Sequence, residues 1–186
     1  MSAAQQQIAA FNQRINSATP HEDVAAILHL HREWWNANHG VDIPRMEACF
    51  PPGDNYLMFN LQGHPYYGLK EKVALWEFYA GLLNCPEDPV TRVVQLVVDG
   101  DVAWLAAEVL YSLEETVEGG IGTTSTGYEP TIARHRIRST ECYLRDNGAG
   151  EATWKMWHFH CSPLPVADEP RPAFGDTARS RGELVP

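Results

Sequence analysis

The sequence predicts an α+β fold in which helices lie on one face of a curved antiparallel sheet. Three observations predict it: apolar residues recur at helical spacing through the first half of the chain, four strand-length runs follow from Val90 onward, and turn-forming or glycine-rich segments join those runs. A chain of 186 residues suits one core better than two. A single domain is expected over residues 1–166, followed by an extended or disordered proline-rich tail over 167–186.

Ile8, Phe11 and Ile15 predict a short amphipathic helix within residues 3–16. "TPHE" follows, with Thr19 able to cap, Pro20 where a first helical residue needs no amide, and Glu22 placed for a capping box. Val24, Ile27, Leu28, His31, Trp34 and Trp35 form one stripe of the helix that starts there, and Gly40 stops it. "IPRMEACF" predicts a brief third helical segment, broken by "PPGD". "NYLMFNL" and "PYYG" flank "QGH" as a small hairpin. "LKEKVALWEFYAGLL" predicts a helix with Leu69, Val73, Trp76 and Leu83 facing inward and Lys70, Glu71 and Lys72 outward. "VTRVVQLVV", "VAWLAAEVLYSLEETVE", "TIARHRIRSTECYLRD" and "TWKMWHFHCS" then read as an antiparallel meander joined by "DGD", a glycine-rich loop at 119–127, and "NGAGEA".

Charge and cysteine usage narrow the function. A formal net charge of -10 repels phosphate backbones and anionic lipid, so neither nucleic acid nor a membrane surface is an expected partner. The N-terminus lacks the basic start and apolar run of a signal peptide, and no segment approaches the length of a membrane span. Cysteines at 49, 85, 142 and 161 have no CxxC spacing and suit reduced, packed thiols, which points to the cytoplasm. No P-loop, dinucleotide-binding glycine fingerprint, G-x-S-x-G elbow or HExxH occurs, leaving cofactor-free proton transfer.

The segment "WKMWHFHCSP" concentrates the chemistry. Strict alternation puts Trp154, Met156, His158 and His160 on one face and Lys155, Trp157, Phe159 and Cys161 on the other. Both faces are apolar, so a homodimer through the outer sheet face is expected. The two histidines admit three readings: a strand chelate for a metal, hydrogen-bonded residues finishing a polar corner, or pocket groups that bind or move a proton. "CSPLP" supplies no third ligand, and His29 and His31 point apart on their helix, so no metal is expected.

This order of elements, with "DGDVAWLAAEVL" and "RDNGAGEATWKMWHFHCSPLP", resembles the nuclear transport factor 2-like superfamily, in particular SnoaL-like proteins and the association domain of calcium/calmodulin-dependent protein kinase II, over about residues 20–166. The resemblance implies a cone: a curved sheet wrapped around the N-terminal helices, enclosing an apolar pocket lined by the inner faces of the long strands. Where the kinase domain keeps pocket arginines, this chain has Glu108, and Glu141 falls near a second such position. A carboxylate-bearing pocket is expected in place of an arginine-lined one.

Glu108 lies in the apolar text "AWLAAEVLYSL", on the face of Val102, Trp104, Ala106 and Leu110. On a concave face, burial would favour its neutral form and suit it to acid/base work; on the other face it would pair with Arg134, Arg136 or Arg138 across the strands. The catalytic candidates are therefore Glu108 or Glu141 as acid or base, His158 or His160 as its partner, and Arg138 or a pocket tyrosine facing developing negative charge. Trp34, Tyr56, His64, Tyr66, Trp76, Trp104 and Tyr143 are candidates for binding an aromatic or polycyclic substrate, although aromatic stripes such as Trp34 and Trp76 also serve simply as core. Two functions stay open: a cofactor-independent lyase or isomerase for a hydrophobic, aromatic, hydroxylated small molecule, or a non-catalytic ligand-binding or oligomerisation module. Elimination of formaldehyde or water, as in lignin-derived diarylpropane lyases, is what the superfamily resemblance implies for the first.

Overall fold

Helix α1 (His21–His39) begins where the Pro20 carbonyl accepts the amides of Asp23 and Val24, and it ends at Gly40, whose amide returns to the Asn36 carbonyl. The computed structural model describes residues 20–61, 63–80, 82–115 and 133–164. The helix expected within 3–16, the Thr19 cap, the glycine-rich loop at 119–127 and the proline-rich tail lie outside the described residues. The Asp42 side chain accepts the Arg45 amide and caps α2 (Ile43–Ala48). A 3₁₀ turn (Gly53–Asn55) leads to the hairpin of β1 (Leu57–Phe59) and β2 (Pro65–Tyr67). Helix α3 (Gly68–Ala80) starts at a glycine with φ +78°, where a Cβ would stand 3.0 Å from the Asp54 side chain. Strands β3 (Leu83–Asn84), β4 (Val90–Asp99), β5 (Val102–Glu115), β6 (Ala133–Arg145) and β7 (Trp154–Pro163) complete the domain. Leu83, expected on the inner side of a helix, is instead in β3, because the helix has already ended at Ala80.

The sheet runs β2-β1-β7-β6-β5, with β4 and β3 both paired to the far edge of β5. All pairs are antiparallel except β1 with β7, so the sheet is mixed where an antiparallel one was expected. Leu96 and Val98 of β4, Ala103, Leu105, Ala107 and Val109 of β5, and Ile137 and Tyr143 of β6 are buried on the face covered by the helices. Trp34 of α1 meets Phe159 edge-on at 5.4 Å, and Trp35 contacts both Phe159 and Tyr111.

Strict alternation fails on β7. Tyr143 pairs with Met156 and Cys142 with His158, so Trp157 is skipped as a β-bulge. The extra residue resets the faces: Trp154, Met156, Phe159 and Cys161 are buried on the inner side, while His158 and His160 lie outside with Arg138 and Cys142. Val102 and Trp104 remain 53% and 37% exposed on that outer face. Among the described residues no helix is long and apolar enough to cross a membrane.

One end of α1 is tied to the sheet through a carboxylate. Asp23 accepts hydrogen bonds from Trp154 Nε1 at 3.0 Å and Arg145 Nη2 at 2.5 Å, and Arg145 Nε lies 2.9 Å from Asp101. Burial pushes the Asp23 carboxyl up, but the hydrogen bonds from Trp154 and Arg145 outweigh it and hold the group below its ordinary value. A carboxyl whose pKa falls on folding contributes stability above the ordinary carboxylate range and loses it as pH falls through the folded-state value. Asp23→Ala is expected to lower the unfolding free energy in urea by about 2 kcal/mol at neutral pH. The gap from the parent should close at acid pH; an equal gap at both would contradict the ion pair.

Candidate active site

Glu141 is fully buried near the middle of β6, and its carboxylate is surrounded by donors. Ser139 Oγ reaches Oε1 at 3.0 Å and Trp35 Nε1 reaches it at 3.4 Å, while the Tyr143 hydroxyl donates to Oε2 at 2.5 Å. His31 Nδ1 lies 3.1 Å from Oε1 and 2.9 Å from Oε2. Strand alternation aims Ser139, Glu141 and Tyr143 at the same side, and α1 brings His31 and Trp35, one turn apart, down upon them. A carboxylate accepts only, so with three other donors already on it His31 donates from Nδ1. With Nδ1 donating, the neutral tautomer has its lone pair on Nε2, an atom that is buried and has no hydrogen-bond partner among the described residues. Burial and the adjacent Glu141 keep the Tyr143 phenol raised well above its ordinary value, so it stays a donor.

Further buried polar atoms stand without a partner among the described residues: Trp34 Nε1, Tyr56 OH and Trp76 Nε1. Their rings share one aromatic cluster, Trp34 lying 5.8 Å from Trp76 and 5.1 Å from Phe50, which itself packs on Tyr56 at 4.2 Å. Burial raises the Tyr56 phenol, with Cys161 and Glu141 adding to the effect. Lys72 completes the cluster. It is 3% exposed, and its ammonium sits 5.1 Å from the Trp76 ring, 5.6 Å from Tyr66 and 5.9 Å from Trp34. Burial pushes Lys72 down to about 7, opposed by the Cys161 thiol, which burial in turn pushes up to about 11. Among the described residues no carboxylate forms an ion pair with Lys72, and no group of three or more His, Cys, Asp or Glu is arranged to hold a metal.

No protein-family model matches the chain. No curated protein matches it. Solved structures do: a ketosteroid isomerase-like protein from Erwinia carotovora atroseptica is similar with a TM-score of 0.61 at 12% identity, over 79% of this chain and 100% of that one. A candidate dehydratase of the nuclear transport factor 2-like family from Streptomyces avermitilis matches with a TM-score of 0.55 at 16% identity, over 80% of this chain and 100% of its own. The chain has the nuclear transport factor 2-like fold. A candidate association domain of calcium/calmodulin-dependent protein kinase type II from Thiobacillus denitrificans shares it, with a TM-score of 0.53 at 16% identity over 73% of this chain and 93% of that one.

Within this nuclear transport factor 2-like fold, Glu141 is the residue expected to carry catalysis that faces the helices. Glu108 is on the outer face, ion-paired with Arg92 of β4 and opposite Arg138 in the register, because β5 buries its odd-numbered residues. The cross-strand pairing weighed for it is thus present, with a different arginine. Arg138 is exposed and donates to Ser162. His158 hydrogen-bonds the Leu57 carbonyl through Nδ1, and burial lowers its pKa; His160 is exposed, edge-on to Phe59. The bulge at Trp157 keeps both histidines away from Glu141. Of the residues expected to bind substrate, Trp34, Tyr56, Trp76 and Tyr143 are buried inside and Tyr66 is half-buried beside Lys72. Trp104 is outside, and His64 is exposed in the β1–β2 turn.

Sequence reasoning passes over His31 and reverses Lys72. His31 shares a helical stripe with Ile27, Trp34 and Trp35, and Lys72 completes the Leu69, Val73, Trp76 stripe, so the spacing carries both signals. A lysine whose pKa falls on folding lets the unfolded chain bind more protons, so stability rises with pH between the folded and unfolded values. Relative to Lys72→Met, the parent is therefore expected to gain stability as pH rises from about 7 toward the ordinary lysine range, measured by urea midpoints. Parallel pH profiles for the two proteins would contradict the burial of the amine.

Proposed function

We propose that this chain is a cofactor-independent lyase or isomerase that moves protons on a hydrophobic, aromatic, hydroxylated small molecule. The observation that supports it best is the His31–Glu141 pair: Nδ1 is fixed on a carboxylate, and Nε2 is buried without a hydrogen-bond partner among the described residues. Glu141 acts as the positioning residue, holding the tautomer and stabilising the imidazolium that forms when Nε2 takes a proton. The fold shared with a ketosteroid isomerase-like protein and a candidate dehydratase agrees with small-molecule chemistry.

For a 1,2-diarylpropane-1,3-diol, His31 Nε2 removes the terminal hydroxyl proton, the adjacent C–C bond breaks to release formaldehyde, and its electron pair forms the new C=C bond. The benzylic hydroxyl leaves as water after accepting a proton from the Tyr56 phenol, which burial keeps protonated; the imidazolium proton restores the phenol at the end of the cycle. Colorimetric formaldehyde assays on such diols are the test. His31→Gln and Glu141→Gln are each expected to lower kcat by about a hundredfold to ten-thousandfold, compared at a temperature where circular dichroism shows each variant folded. Both variants turning over at the parent rate would overturn the reading, and binding without turnover by the parent would make the chain a ligand-binding module.

We also propose a homodimer through the outer sheet face, supported by the exposure of Val102 and Trp104 side by side in register with the β6 strand. Trp104→Lys is expected to shift sedimentation from dimer to monomer; a monomeric parent would overturn this.

A further inference from the structure

We propose that Lys72 makes the interior selective for an aromatic ligand bearing an acidic hydroxyl, a phenol, which it holds as the phenolate. This rests on the reading that the site takes an aromatic small molecule, and it adds which group that molecule must carry. The donor inventory points to it. Trp34 and Trp76, whose rings flank Lys72, each carry a buried indole N–H that lacks a partner among the described residues, and an indole can only donate. Lys72 adds a buried amine that no carboxylate offsets among the described residues. Glu141, the buried carboxylate nearest in kind, already accepts from His31, Trp35, Ser139 and Tyr143. Among the described residues this side of the interior therefore has more unpartnered donors than acceptors, a balance that a ligand oxygen bearing negative charge would restore.

The opposite need holds at His31, where Nε2 of the tautomer that donates from Nδ1 is an acceptor without a partner among the described residues. The ligand that satisfies both is polar at two ends, with an anionic oxygen among Lys72, Trp34 and Trp76 and a protonated hydroxyl at His31. Three aromatic rings around the amine provide the flat apolar surface on which a phenol ring packs. The titratable groups facing Lys72 are the Cys161 thiol of β7 and the Tyr66 phenol of β2; the contacts from α1 and from its own helix are the neutral indoles of Trp34 and Trp76. Because burial holds the amine at about 7, an arriving phenolate makes it take up a proton.

4-Nitrophenol is the probe, since its phenolate is yellow and its phenol is not. At a pH just below its own pKa, the parent is expected to bind it with growth of the phenolate band, and nitrobenzene, which lacks the hydroxyl, to bind at least about tenfold more weakly. Lys72→Met, similar in length and apolar, is expected to fold and to weaken nitrophenol binding by about tenfold to a hundredfold with loss of the phenolate band. A measurement on the parent alone avoids dependence on any variant: at a pH above both pKa values, calorimetry in buffers of different ionisation enthalpy should register close to one proton taken up. Equal affinity for nitrobenzene, an unchanged Lys72→Met affinity, or no proton uptake each overturns the proposal. The phenolate band and the proton uptake are both read without turnover, so failure of the proton-transfer reading and failure of this one are separately visible.

Discussion

The arrangement of this protein depends on burying one carboxylate. Glu141 has no contact with solvent, and such a group is tolerated only when hydrogen bonds replace the water it has lost. Four side chains supply them, two from its own strand and two from helix α1 lying above it. That requirement fixes where α1 lies on the sheet: a shift by one residue would carry His31 and Trp35 off the carboxylate together. The same helix is held at its start by Asp23, through Arg145 of β6 and Trp154 of β7. The helix is thus registered on the sheet at two acidic points, and the apolar contacts of Ile27, Trp34 and Phe159 fill the space between them.

Placing that carboxylate centrally divides the interior into two electrostatic regions. Among the described residues, the side-chain polar atoms bonded to Glu141 are satisfied, and His31 Nε2 alone of that group lacks a partner. Around Lys72 they are donors set among rings, with the Cys161 thiol and the Tyr66 phenol as titratable neighbours among the described residues. The Tyr56 phenol, raised first by burial, responds to both Cys161 and Glu141. An interior organised only for stability would replace these unpaired atoms with hydrocarbon, since a buried donor without an acceptor costs about 1–3 kcal/mol.

The sequence makes the architecture legible because helix and strand periods differ and because glycine and proline mark the joints. The stripe from Val24 to Trp35 gives α1, and the long runs after Val90 give β4 to β7 with ends within a few residues of those observed. Faces are harder to read than elements. Odd residues of β5 point inward, which alternation permits but does not choose, and so Glu108 falls outside while Glu141 falls inside. On β7 a single extra residue inverts the assignment for everything after it, a change no local pattern announces. Lys72 is misplaced for a simpler reason: its charge outweighs its position in the reading, although the spacing with Leu69 and Trp76 already marks it as interior.

The bulge at Trp157 has a counterpart on β4, where the register slips between Val93 and Gln95. These two creases flank the β5–β6 pair on either side. Each bends its strand, so the broad sheet curves along both margins toward the helices. The curvature is then set by how many backbone units each strand contains, whereas the chemistry of the inner face is set by which side chains project from it. Form and chemistry can therefore drift independently, and the side chains of the inner face can be exchanged without the scaffold being rebuilt.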